Sequence, residues 1–306
     1  MPKYAPRHAR FLRLSAVNAW SEAGLGASRD RFPIEVAFAE RLNQHARPGF
    51  TPLRMPDSDS VEYHREVSLL IDAFDAFPQR VDISFDSTWR AFEAGLHDLR
   101  NAGDSNTTNG LSELARALQS EEASAVECAT RALPQQALEF LVTRWIDGAL
   151  DGNKLALRLA RGGAAIGGPA ELREHLRSQY DLREMGDRRK AARLLLLVMR
   201  GKSVTVSGSP IELSVNDRAL ILFSGLLFGL RNDRAHGVVP SPFTSSAATL
   251  RTYALPYYAF VATYHLYMTT ALRRGHLGPE ITADVLQQNL ESNLDAARAV
   301  LGRHWN

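Results

Sequence analysis

The run ALILFSGLLFGL, Ala219 to Leu230, carries a single polar side chain, Ser224. At helical periodicity its apolar residues cover every face, so the segment cannot lie on a surface and must be enclosed by other elements. Ser214 is placed to cap it, and Asp217 three positions on completes a partial capping box that also suits the positive helix N-terminus. Gly225 and Gly229 sit four apart on one face and would admit another helix at close range, inside the chain or across a dimer seam alike. The run is too short to cross a bilayer, which takes about 20 residues. The other apolar stretch, Tyr253 to Leu272, is interrupted by Pro256, His265 and several Tyr and Thr residues. Both read as core helices, and no membrane partner is expected.

The rest of the chain supplies the enclosure. Apolar spacing of three and four predicts helices over Pro33–Gln44, Val61–Phe77, Ser84–Arg100, Leu111–Gln119, Pro134–Leu150, Ala170–Gln179, Arg188–Arg200, Val215–Arg234, Tyr257–Arg274 and Pro279–Leu301. Ala46–Ser60 is proline-rich and polar, a linker or an extended surface arm. Arg100–Gly110 reads as a polar loop. Ser203–Ser214 has two short alternating runs around Ser-Gly-Ser-Pro, the pattern of a small β-hairpin. The glycine-rich RGGAAIGGP, Arg161–Pro169, lacks the Gly-Lys-Ser/Thr ending and a preceding strand, so it reads as a loop between helices and not as a phosphate cradle. The fold class is therefore all-α, with residues 1–80 as an N-terminal helical extension carrying the proline-rich linker and residues 81–306 as the main helical domain.

A net charge of +2 does not announce a nucleic-acid binder at the level of the whole chain. Lysine occurs only at Lys3, Lys154, Lys190 and Lys202, so the cations are nearly all arginine, through a biased genome or for bidentate grip on phosphate. Cys128 is the only cysteine, which excludes an intramolecular disulfide and a thiolate metal cluster and fits a reducing cytoplasm. The first thirty residues show no secretory signal pattern, and no metal or cofactor is expected.

Directly behind the apolar run stands LRNDRAHGVV, Leu230 to Val239. Gly237 is placed to end the helix as a left-handed cap residue. Asn232 and His236 share a face, whereas Arg231 and His236 point about 140° apart on an ideal helix and converge only if the last turn unwinds. Spacing alone carries no information. In a chain this rich in arginine, with nine histidines, an arginine five to seven positions before a histidine is expected by chance about as often as it occurs: Arg231 with His236, Arg90 with His97, Arg298 with His304. Setting separates them. Arg90 and His97 read as one polar face of an amphipathic helix, and Arg298 and His304 lie near the C-terminus. Only Arg231 and His236 follow a buried helix, with a polar residue after the arginine and a glycine terminator.

In that setting RNDRAHG resembles the signature of the HEPN (higher eukaryotes and prokaryotes nucleotide-binding) superfamily, an arginine, four to six residues and a histidine, with Asn, Asp or His favoured after the arginine. Arg231, Asn232 and His236 match it position by position. The helix Asp82–Leu99, with its Trp89 and Glu93, also looks like an opening helix of such domains. The resemblance implies a helical bundle, extended here by the N-terminal helices and the hairpin, and a metal-independent endoribonuclease whose Arg-His pairs meet across a homodimer dyad. It further implies His236 as general base or acid, Arg231 as the phosphate anchor, and Asn232 orienting the imidazole or donating to a phosphoryl oxygen. The expected partner is RNA, cleaved to a 2′,3′-cyclic phosphate and a 5′-hydroxyl in a toxin or anti-phage setting, with an antitoxin or defence-complex subunit as possible restraint. The alternative is a noncatalytic module of the same fold that binds nucleotides or a regulatory partner.

Four further cations are candidate RNA contacts: Arg234, and Arg188, Arg189 and Lys190 at the start of an otherwise apolar helix, with Arg193 beside them. Asp233 reads as one half of a local ion pair. The tyrosines at 253, 257, 258, 264 and 267 could stack on bases but read as core residues with hydrogen-bonded hydroxyls, and His265 as a buried structural histidine.

Overall fold

The three-four spacing of apolar residues becomes an all-α bundle with one small hairpin in the computed structural model, which describes residues 7–8, 11–12, 14–15, 31–45, 48–100, 106–146, 156–157, 168–206, 208–239 and 241–306. The longer helices are α1 (Pro33–Asn43), α2 (Val61–Ala76), α3 (Val81–Leu99), α4 (Thr107–Arg116), α5 (Ser120–Arg131), α6 (Gln135–Ile146), α7 (Gly168–Gln179) and α8 (Met185–Met199). Strands β1 (Val204–Val206) and β2 (Ser209–Ile211) pair antiparallel with Val204 opposite Ile211, as the alternating runs predict, and Gly208 supplies the positive φ of the turn. Helix α9 spans residues 215–235, and α10 (Ala254–Arg273) and α11 (Ala283–Leu301) complete the bundle. Among the described residues no helix is long and apolar enough to cross a membrane.

Caps place the helix starts. Ser214 Oγ accepts from the Asp217 backbone N–H while the Asp217 carboxylate accepts from the Ser214 backbone, the predicted box at the head of α9. Asn106 caps α4 by accepting from Thr108 and Asn109, so that helix begins inside the stretch predicted to be a loop. The helix α5 was not anticipated. Its buried face is Ala125, Val126, Ala129 and Thr130, too small to stand out as an apolar stripe. The stretch Arg161–Pro169 lies almost wholly outside the described residues.

Helix α10 is the axis of the core. It packs along α3, which also packs against α2, while α11 bridges α10 and α5, and α6 carries α8. The five tyrosines are all buried, which removes them as stacking platforms for bases. Tyr257 and Tyr258 donate to the Gly49 and Ala129 carbonyls, Tyr264 accepts from the Leu53 N–H, and Tyr253 stacks between Phe38 and Phe243.

The proline-rich segment is an extended arm laid over this core. Phe50 inserts among Phe74, Phe77, Phe260 and Tyr264. The Thr51 N–H donates to Asn293 Oδ1 of α11, and the Tyr63 hydroxyl donates to the Pro56 carbonyl. Residues before position 80 thus contribute to the same hydrophobic core as α10. Truncating Phe50 should cost about 3–5 kcal/mol, the usual range for a buried Phe→Ala change. A chemical-denaturation midpoint for Phe50→Ala close to that of the wild type would contradict a core role for the arm.

Candidate functional site

Helix α9 is one continuous helix built in three parts: an α-helical start (Val215–Leu220), a π-helical segment (Ile221–Leu227) and an α-helical end (Phe228–Ala235). In the π segment the ladder slips to i→i−5, with the Phe228 N–H donating to the Phe223 carbonyl. Residues 219–228 and Leu230 are buried except for the half-buried Gly229, as the apolar run requires. Gly225 and Gly229 face Leu141 and Phe140 of α6; a Cβ at Gly225 would lie 3.2 Å from Leu141 Cδ1. The glycines therefore serve a crossing inside the chain. The body of α9 is not available as a dimer seam, and only its first and last turns reach the surface.

That end is closed by a Schellman cap. Val238 N–H donates to the Asp233 carbonyl at 2.8 Å and Gly237 N–H to the Arg234 carbonyl at 3.1 Å, with Gly237 at φ 69°. His236 N–H still donates to the Asn232 carbonyl at 2.9 Å, so the last turn does not unwind. Arg231 and His236 consequently keep their helical divergence of about 140°. The condition under which one chain could aim both at one phosphate is not met.

The two side chains have opposite environments. Arg231 is held against α3: its Nη2 donates to Glu93 Oε2 at 3.0 Å and its Nη1 to Asn232 Oδ1 at 3.1 Å. Glu93 also accepts from Thr107 Oγ1 at 2.8 Å, and His97 Nε2 lies 3.1 Å from that hydroxyl oxygen, so a polar chain runs from His97 to Arg231. His236 is exposed, and its imidazole has no partner among the described residues. Val238 beside it is an exposed apolar side chain. Asn232 therefore orients the guanidinium; among the described residues it makes no hydrogen bond to the His236 imidazole, one of the two roles expected of it, and its amide N–H groups are left for the other, donation to a phosphoryl oxygen.

Arg234 lies deeper. It grips Asp86 through Nε at 2.7 Å and through Nη2, and reaches Asp82 Oδ2 at 3.3 Å, with only 11% of its side chain exposed. Asp82 also receives Arg80. Burial alone would push the Asp82 carboxyl up, but the hydrogen bonds and charges of Arg80 and Arg234 outweigh it and hold the group below the ordinary aspartate value. Arg234 is a cross-link between α9 and α3 and not a free cation for RNA. Asp233 pairs with Arg144 of α6, across helices and not locally.

These pairs form a register. On α3, Asp82, Asp86 and Glu93 follow at helical spacing around Trp89, whose ring packs on Phe228 of α9. On α9, Arg231 takes Glu93 and Arg234 takes Asp86, so the charges match antiparallel along the two helices. The acidic half of this register was legible only as charge spacing on one face, and which arginine each acid meets depends on packing.

The other candidate cations are distant in sequence and differ among themselves. In the first turns of α8, Lys190 pairs with Asp187 at 2.9 Å, Arg188 is half-buried, and Arg189 and Arg193 are exposed. His265 is packed by α5 and α11, and burial pushes its imidazole down to about 4, so it is neutral at physiological pH, in keeping with a structural histidine.

The environments predict different costs. Arg234→Ala leaves the buried Asp82 with Arg80 alone and the part-exposed Asp86 without its ion pair, and should lower the unfolding free energy by about 1–3 kcal/mol, whereas His236→Ala should leave the melting temperature unchanged. The folded-state pKa of Asp82 is depressed, so its stabilising contribution is full at neutral pH and is lost as pH falls below about 4, through that folded value. A pH titration of unfolding free energy in which the wild type and Arg234→Ala fall in parallel would contradict that linkage. No protein-family model, no curated protein and no solved structure matches this chain, so the chemistry of the site rests on the geometry above.

Proposed function

We propose that the chain is a metal-independent endoribonuclease of HEPN type that acts on RNA as a homodimer, with one half of each catalytic centre at the end of α9. The observation that carries this reading is the pairing of an exposed, unpartnered His236 with an Arg231 whose guanidinium is pre-oriented five residues earlier. Arg231 spends one N–H on Asn232 and one on Glu93, which leaves the remaining donors of its fork for a phosphoryl oxygen. Because His236 diverges from Arg231 along one helix, the histidine that completes each centre comes from a second copy. The exposed last turn, with Val238 beside His236, is the surface where two copies meet.

In the reaction, His236 takes the proton of the ribose 2′-hydroxyl as the oxygen attacks phosphorus. The P–O5′ bond breaks, and a proton is returned to the leaving oxygen, giving a 2′,3′-cyclic phosphate and a 5′-hydroxyl. Arg231 offsets charge developing on the non-bridging oxygens. A toxin or anti-phage effector in the cytoplasm, held in check by an antitoxin or a defence-complex subunit, is the setting this chemistry suits. Arg189 and Arg193 on the exposed face of α8 are the cations of that helix left to follow an RNA backbone.

The Arg231–Glu93 ion pair favours a second reading, a noncatalytic module of the same fold in which Arg231 is purely structural and the α9 end binds a nucleotide or regulatory partner. Cleavage of a mixed cellular RNA pool in excess chelator separates the two. The ribonuclease reading expects cyclic-phosphate ends and a loss of about 10²–10⁴-fold in rate for His236→Ala. Equal cleavage by wild type and variant, or none by either once any bound partner is removed, overturns it.

A further inference from the structure

A cavity of about 210 Å³ opens between α5, α10 and α11, away from Arg231 and His236. Its polar wall is formed by Gln119, Glu121, Glu122, His265, Thr269 and Arg273. Behind Glu122, His265 and Thr269, which line both spaces, continues a narrow apolar throat of about 20 Å³. The throat is walled by Leu114, Val126 and Leu266 and ends on Phe223 and Leu227 of the π-helical segment of α9. A space of that size admits a single methyl-sized group.

Within the mouth Arg273 and Glu122 are spent on one another, and the remaining charge, Glu121, stands at the solvent-exposed rim, where it accepts from the Ser120 hydroxyl. Arg273 donates through Nε to Glu122 Oε1 at 2.7 Å and through Nη2 to Oε2, and also reaches the Ala117 carbonyl. Burial keeps the His265 imidazole neutral, so one ring nitrogen can donate and the other accept. The Thr269 hydroxyl donates to the His265 carbonyl and keeps its lone pairs. An anion would lose water without gaining a counter-ion and a cation would find only Glu121 at the rim, screened by solvent, whereas a neutral hydroxyl or amide finds both donors and acceptors.

We propose that this cavity binds a small neutral amphipathic molecule, its polar head among His265, Thr269 and Arg273 and its unbranched apolar end in the throat against the π segment of α9. The site stands whether or not the chain cleaves RNA. It contacts the same helix that carries Arg231 and His236, four residues upstream of Arg231 at Leu227, so an occupant bears directly on the part of the helix whose backbone ladder is irregular.

A matched probe series tests this on the full chain: 1-hexanol, hexanoate and hexylammonium share one body and differ in head charge. Isothermal titration should show saturable binding of 1-hexanol and binding about tenfold or more weaker for both ions. Ala125 lines the mouth and the throat, so Ala125→Phe should abolish hexanol binding; Thr269→Val, which keeps the shape and removes the hydroxyl, should weaken it several-fold and serves if the first variant fails to fold. Hydrogen exchange of amides 222–228 should slow with hexanol and not with the ions. No saturable binding of hexanol, equal binding of the charged probes, or binding indifferent to both substitutions overturns the assignment.

Discussion

Enclosure of the apolar α9 is the constraint from which the rest of the structure follows. A helix with no polar face has to be surrounded, and α4, α5 and α6 meet it inside the chain, α6 closely enough that Gly225 and Gly229 face its side chains. Because its body is sealed, α9 can offer the surface only its two end turns, the first closed by the Ser214–Asp217 box and the last carrying the polar cluster. The position of the polar cluster is thus a consequence of packing: wherever this helix ends, its last turn is where polar groups can stand in water. The ion pairs of Arg231 and Arg234 with α3 then fix the rotation of that end about the helix axis.

This rotation sorts the cluster into two functions. Arg234 and Asp233 face inward and tie α9 to α3 and α6, while His236 is left outside and Arg231 stands at the boundary, about a third exposed. The Schellman cap at Gly237 keeps the last turn helical, so divergence of Arg231 and His236 is built into the backbone and not a matter of rotamer choice. A single copy presents a base and a phosphate anchor on different faces. Pairing across an isologous interface is the arrangement that brings such faces together without unwinding the helix.

Much of this was legible in the sequence because it depends on local periodicity and cap chemistry. The burial of residues 219–228, the Ser214 box, the Gly237 terminator, the hairpin and the core placement of the tyrosines each follow from residues within a few positions of one another. What escaped is what depends on distant packing. The helix α5 buries only small side chains and leaves no stripe to read; the π segment is one slipped hydrogen-bond ladder with no residue signature; and Glu93, Asp86 and Arg144 became partners of Arg231, Arg234 and Asp233 only when three helices came together. The proline-rich arm was open between linker and surface element, and Phe50, a lone aromatic in a polar stretch, was the available hint that it is anchored.

The claim that the end of α9 is half of a shared catalytic centre is tested most directly by mixing two inactive chains. Arg231→Ala and His236→Ala are denatured together, refolded as a mixture, and assayed for RNA cleavage beside each parent alone. With the centre shared across a dyad, half of the dimers are mixed and each carries one intact centre of its two, so the mixture should recover about a quarter of wild-type activity while both parents stay inactive. A mixture as inactive as its parents, although the mixed dimer is shown to form, contradicts the account.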